Sequence, residues 1–173
     1  MTTAIEYSEI RAWLLGRLPS DLFEGEPEVV IDREEITVIG TIPIPDRPEG
    51  ASDADFAATV EGRIAQFRER TRSQRITIAR DLERRAGRKV AWGVTCGDRR
   101  ALFTHLAVPV MTRLRQPERR VLDTLVESGV ARSRSEALAW CVKLVGRNSD
   151  EWLGRLREAM AHVEKVRAEG PTA

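Results

Sequence analysis

A chain of 173 residues is long enough for one medium domain or two small ones. With 42% apolar and 32% charged residues it can build a packed core and does not have the composition of a disordered polymer. A net charge of +1 selects no class of partner, and no apolar run reaches the roughly 18 residues that a membrane span needs.

Residues 4 to 18 read as a helix, with Ile5, Ile10, Trp13, Leu14 and Leu18 near helical spacing and Pro19 closing it. Pro27 opens a β stretch from Glu28 to Ile42. Val29 and Ile31 alternate with polar residues, Asp32-Arg33-Glu34-Glu35 supplies a turn, and Ile36, Val38 and Ile42 resume, so a hairpin is expected. Glu34 and Glu35 are expected to face solvent. Three prolines and a glycine between Pro43 and Gly50 mark a loop. Ser52 and Asp55 have the spacing of a capping box. One long helix is expected from there to about Ala86, closed by Gly87 and weakest near Gln74. Its apolar stripe is Ala57, Val60, Ile64, Phe67, Thr71, Ile78 and Leu82. Arg68, Arg72 and Arg75 share one face. They are candidates for phosphate contact, against the plainer reading of a solvated amphipathic helix.

Lys89 to Thr95 alternates as a strand, with Val90, Trp92 and Val94 on one side. Cys96-Gly97-Asp98-Arg99 is a turn, and Ala101 to Val108 the return strand. Residues 1–107 thus read as helix, hairpin, long helix, hairpin. This is an α+β unit of unknown role whose sheet buries one face against the helices.

From Val108 the pattern changes. Val108, Val110, Thr112 and Leu114 alternate with Pro109, Met111, Arg113 and Arg115. Pro117 suits the first turn of a helix running from Glu118 to Ser128, with Val121, Leu122, Leu125 and Val126 inward and Gly129 closing it. Ser133 and Glu136 make a second capping box. The helix after it, to about Gly146, has Ala137, Leu138, Cys141, Leu144 and Val145 inward. A third helix, capped by Asn148 or Ser149, carries Trp152, Leu153, Leu156, Met160, Val163 and Val166, and frays at Gly170-Pro171.

The charge is unevenly placed. Residues 1–62 hold 4 basic and 14 acidic side chains, residues 63–115 hold 14 and 4, and residues 116–173 hold 10 and 9. An acidic third followed by a basic middle points either to a nucleic-acid contact or to opposite faces that meet within the protein or between copies. Arginine outnumbers lysine 25 to 3. That suits phosphate binding, but a GC-rich bacterial genome gives the same bias.

Strand, proline, helix of about eleven residues, glycine turn and serine-capped helix, in that order, resemble the ribbon-helix-helix (Arc/MetJ-class) DNA-binding family. The resemblance covers about residues 108–146. It lies in Leu114-Arg115-Gln116-Pro117, in Arg120-Val121-Leu122-Asp123, and in Gly129 followed by Arg132-Ser133-Arg134-Ser135-Glu136. It implies that two copies pair their strands into a ribbon that enters the major groove. Met111, Arg113 and Arg115 would then face the bases, and Ser133, Arg134 and Ser135 would sit over a phosphate. Pro109 departs from the pattern by shortening the usable strand, and Met111 by offering no hydrogen-bond donor. The preceding strand could also pair with this segment inside one chain and abolish the ribbon.

The expected protein is therefore a cytoplasmic homodimer, or a higher assembly, that binds double-stranded DNA and regulates transcription, with residues 108–173 as the binding module. The alternative is a non-enzymatic protein–protein interaction or antitoxin-like module that uses the same dimeric fold without reading DNA. Its protein partner would dock on the acidic N-terminal third. No enzyme, cofactor or metal is expected. His105 and His162 lack ligand neighbours at metal spacing, and no phosphate loop or nucleophile motif occurs. Cys96 and Cys141 are far apart and read as structural, reduced thiols, although Arg99 beside Cys96 could lower its pKa. Trp13, Trp92, Trp140 and Trp152 read as core anchors. The start, MTTAIEYSEI, does not have the pattern of a signal peptide.

Overall fold

A computed structural model describes residues 4–169, and side chains from residue 7 onward. The side chain of Ile5 and the Gly170-Pro171 end lie outside the described residues. The fold is α+β and divides into two compact units, residues 1–108 and 109–173.

The first unit runs α1 (Ala4–Arg17), β1 (Glu28–Ile31), β2 (Glu35–Thr41), α2 (Asp53–Arg70), α3 (Arg72–Ala86), β3 (Lys89–Cys96) and β4 (Arg99–Leu102). The four strands form one sheet in the order β1-β2-β3-β4. Both hairpins are antiparallel, and β2 and β3 pair in parallel from Glu35 opposite Lys89 to Thr41 opposite Thr95. A parallel pair needs a long crossover, and α2 and α3 supply it. The first hairpin turns where Asp32 Oδ1 accepts the N–H groups of Glu34 and Glu35, both at 2.8 Å. Glu35 does not stay in solvent. As the first residue of β2 it is half-buried, and its Oε2 has no hydrogen-bond partner among the described residues.

The central strands are buried on both faces over part of their length, Val90 to Val94 without a break, and period-two alternation defines which side chains share a face. Ile36 and Val38 of β2, with Val90 and Trp92 of β3, pack against Ile10 and Leu14 of α1 and Ile78 and Leu82 of α3. Val94 and Cys96 continue that face into a second cluster with Leu22, Ile42, Val60 and Phe67. Each fully buried aliphatic side chain contributes roughly 1.5–3 kcal/mol. Phe23 is packed against both clusters and stacks on Phe67 with ring centroids 5.8 Å apart. Cys96 belongs to the strand, not to a turn. It is fully buried, its thiol faces the Pro43 carbonyl at 3.7 Å, and burial pushes its pKa up, opposite to the effect expected from Arg99. Cys141 is half-buried and also free.

The long helix is broken. The Ser52–Asp55 capping box forms as expected, but helical geometry lapses at Thr71 (φ −95°, ψ 1°). The cause is local: the Thr71 hydroxyl donates to the Phe67 carbonyl at 2.7 Å and accepts from Arg75 Nε at 2.9 Å. Gly87 ends α3 in the left-handed region at φ 66°. The return strand β4 stops at Leu102, well short of Val108, and residues 104–115 are neither helix nor strand.

The second unit holds α4 (Gln116–Glu127), α5 (Arg134–Asn148) and α6 (Asp150–Glu169). Pro117 lies in the first turn of α4, and Gly129 leaves it at φ 77°. The buried core is small: Leu122, Ala131 and Ala137, with Leu114, Leu125, Val126, Leu138 and Cys141 packed around them. Val121, Leu144 and Val145 were expected inward and Trp152 as an anchor, yet all four are exposed. A three-helix unit this short can cover only part of each apolar stripe. Among the described residues no helix is long and apolar enough to cross a membrane.

Candidate nucleic-acid interface

The expected base-facing residues lie in the stretch before α4. Val110 is 85% exposed and Met111 97%, and Arg113 and Arg115 are exposed beside them. Residues 104–115 form no strand, so among the described residues neither the ribbon strand nor a continued return strand is seen in one copy. The end of this stretch is fixed. Leu114 packs into the small core, and Arg119 Nη1 donates to the Leu114 carbonyl at 2.9 Å. Anchoring Leu114 inward leaves its neighbours Arg113 and Arg115 outside.

The expected phosphate-binding residues sit at the start of α5. Ser133 is the N-cap, its hydroxyl accepting the Glu136 N–H at 3.2 Å. The return arm of the capping box misses by one residue, since Glu136 Oε2 accepts from the Arg132 N–H at 2.8 Å. Arg134 and Ser135 occupy the first two helical positions, where N–H groups have no partner within the helix. The Arg134 side chain is already engaged. Its Nε and Nη2 donate to the two carboxylate oxygens of Asp123 on α4, at 2.6 and 2.9 Å. That bidentate pair holds the Asp123 carboxyl below its usual range and the Arg134 guanidinium above its own. Arg134 therefore braces α5 against α4, which leaves Ser133 and Ser135 from the expected set.

The three arginines of the broken helix do not share one role. Arg75 is 6% exposed and turned inward, with Nε on the Thr71 hydroxyl, Nη2 on the Arg68 carbonyl at 2.7 Å, and its guanidinium 4.7 Å from the centre of the Phe103 ring. Buried there, it cannot touch a DNA backbone, which corrects the expected phosphate contact. Burial, then Arg68 and Arg72, push its pKa down to about 10, so it stays a cation at neutral pH. Arg68 lies 5.6 Å over the same ring, and Arg72 is exposed.

Arg68 and Arg72 line a cavity of about 570 Å³ with Glu61, Ile64, Ala65, Glu69 and residues 99–103. Sequence reasoning missed this site because its two halves are more than 25 residues apart and meet only through the sheet. The Arg99-Arg100 doublet after the Gly97 turn was the one local sign. Two acidic residues of the N-terminal third also come here. Glu61 pairs with Arg99 at 2.6 Å, and Glu28 accepts both Arg100 nitrogens, at 2.8 and 3.0 Å. The hydrogen bond from Arg100 pulls the Glu28 carboxyl below its usual range. Part of the charge asymmetry is thus neutralised inside one chain.

Two family models match. The one described as Rv1265-like protein, N-terminal domain, covers residues 8–102, and the one described as Mb1296 C-terminal domain covers residues 115–167. Among curated proteins, the uncharacterised protein Rv1265 of Mycobacterium tuberculosis is 60% identical over 159 residues, which is 92% of this chain and 69% of the relative. The uncharacterised protein Mb1296 of Mycobacterium bovis matches to the same extent. No solved structure matches. Neither matching family is a ribbon-helix-helix family, so the expected kinship is wrong. The residues that prompted it are a helix-opening proline, a closing glycine and a serine cap. These residues are favoured at helix ends in general, so they specify local structure and not descent. The chain belongs to the family of Rv1265-like proteins.

Proposed function

We propose that the protein is a DNA-binding transcriptional regulator that acts as a homodimer through its C-terminal unit. The observation that carries this reading is the apolar surface left open there. Val142 (65% exposed) and Val145 lie one turn apart on α5, and Trp152, Leu156, Met160 and Val163 follow on α6. So many exposed large apolar side chains on one small unit mark an association surface, and a second copy offers the same surface to pair with. Dimerisation would also bring two copies of the extended segment 109–115 within reach of each other. Paired strands could then present Met111, Arg113 and Arg115 to a major groove, with Ser133 and Ser135 near the backbone. This reading rests on those residues and not on kinship with the ribbon-helix-helix proteins. It is non-enzymatic, and a cytoplasmic location goes with it.

The pairing of Arg134 with Asp123 favours a second reading, a dimeric interaction module that does not read DNA, because it withdraws one cation from the phosphate-binding set. Both readings need the dimer. In sedimentation equilibrium the protein should run at twice its chain mass of 19.5 kDa. The variant carrying Val142→Asp and Val145→Asp should run as a folded monomer, since both positions are exposed within one copy. A wild-type protein that stays monomeric at micromolar concentrations contradicts both readings.

A further inference from the structure

The cavity of the N-terminal unit has features that the DNA reading does not use. Its volume of about 570 Å³ is that of a small-molecule site. Its charges do not cancel. Arg99 is matched by Glu61 and Arg100 by Glu28. Among the described residues, Arg68, Arg72 and the buried Arg75 behind them make no ion pair with a carboxylate, and of the acidic residues lining the cavity Glu69 is left to set against them. Three guanidiniums against one carboxylate leave two positive charges.

Arg75 makes this arrangement costly. Taking a cation out of water without a counter-ion is strongly unfavourable. The Thr71 hydroxyl, the Arg68 carbonyl and the Phe103 ring offset only part of that, and Arg68 and Arg72 repel it. A fold that keeps three cations together in this way is preorganised for an anion. Arginine forks match phosphate oxygens two at a time. Ile64, Ala65 and Leu102 supply an apolar wall for an organic group.

We propose that this cavity binds the dianion of a phosphate monoester, a small phosphorylated molecule, with Arg68 and Arg72 as its ligands and Arg75 as the fixed charge behind them. The site lies wholly within residues 61–103, so it stands or falls independently of DNA binding by the second unit. A monoester carries the two negative charges that the cavity lacks. A phosphodiester, as in nucleic acid, carries one per phosphate.

The test is calorimetric titration of the full chain with phenyl phosphate, inorganic phosphate and dimethyl phosphate. Phenyl phosphate and inorganic phosphate should bind, and dimethyl phosphate at least about tenfold more weakly. The variant Arg72→Gln should lose at least about tenfold in affinity for phenyl phosphate, the scale of one charge-assisted hydrogen bond. Without ligand its melting temperature should hold or rise, because an exposed, repelled cation is removed. No binding of phenyl phosphate at millimolar concentration would overturn the proposal. So would equal binding of the diester, or an Arg72→Gln protein that binds phenyl phosphate as the wild type does. Displacement of phenyl phosphate by random-sequence duplex DNA would assign these arginines to a nucleic-acid backbone instead, and would also overturn it.

Discussion

Gly40→Ala should be among the most destabilising single methyl additions in the molecule, costing about 3 kcal/mol. A Cβ at Gly40 would lie far inside van der Waals contact with three ring carbons of Phe23. That ring cannot yield cheaply. It is packed against both core clusters of the first unit and stacked on Phe67, which in turn meets Phe103 at 6.3 Å. Overpacking costs roughly 1–3 kcal/mol, and expelling the half-buried Phe23 ring would forfeit part of the roughly 3–5 kcal/mol that a fully buried phenyl ring contributes. The cheaper of the two routes sets the outcome. For a unit of this size the melting temperature should fall by roughly 10–20 °C. A double-mutant cycle identifies the cause. If the clash with Phe23 is the mechanism, Phe23→Ala and Gly40→Ala together should cost clearly less than the sum of the two alone. Additive costs would refute it.

The second large effect concerns DNA. Under the proposed DNA reading, Arg113→Ala with Arg115→Ala should remove site preference and weaken binding by at least about a hundredfold. Each good arginine–guanine pair discriminates by about 1–3 kcal/mol, and a dimer presents the pair of residues twice. The dependence of affinity on salt should flatten as well, since cations leave the interface. Both side chains are exposed and make no ion pair among the described residues, so folding should be unaffected. An unchanged melting curve is the control. A double variant that binds a specific site as tightly as the wild type would show that this segment does not read DNA. Retained binding of a protein partner by the same variant would support the interaction module.

Local chemistry was legible in the sequence. Val90, Trp92 and Val94 announced one buried strand face, Ser52 and Asp55 a helix start, and Gly87 and Gly129 two helix ends, because each depends on neighbours within a few residues. Three things were not legible. The parallel pairing of β2 with β3 joins two hairpins about fifty residues apart, and no periodicity encodes a partner. The break at Thr71 arises from one hydroxyl that donates to Phe67 and accepts from Arg75. Arg75 in turn is buried by Phe103, which arrives from beyond β4. The engagement of Arg134 needed Asp123, eleven residues earlier, to face it from the neighbouring helix. At the candidate interface the sequence set Leu114 on one face and Arg113 and Arg115 on the other; both arginines are exposed, but so are Val108 and Val110 of the Leu114 face, since the segment is not a strand. It counted the buried Arg75 among the candidates for phosphate contact because arginines on one helical face look alike until their partners are known. The apolar stripes of α5 and α6 were visible too, but periodicity does not say whether the same chain or a second one covers them.

The most direct test of DNA reading is to incubate the purified protein with fragmented DNA of its own genome at physiological salt and sequence what is retained. Non-specific complexes are weak there, with Kd on the order of 10⁻⁴–10⁻⁶ M, so retained fragments report specific sites. A homodimeric reader predicts a recovered motif with two-fold symmetry, lost in the Arg113→Ala, Arg115→Ala protein. Recovery of no motif, or only of sequence-blind DNA that modest added salt releases, would contradict it.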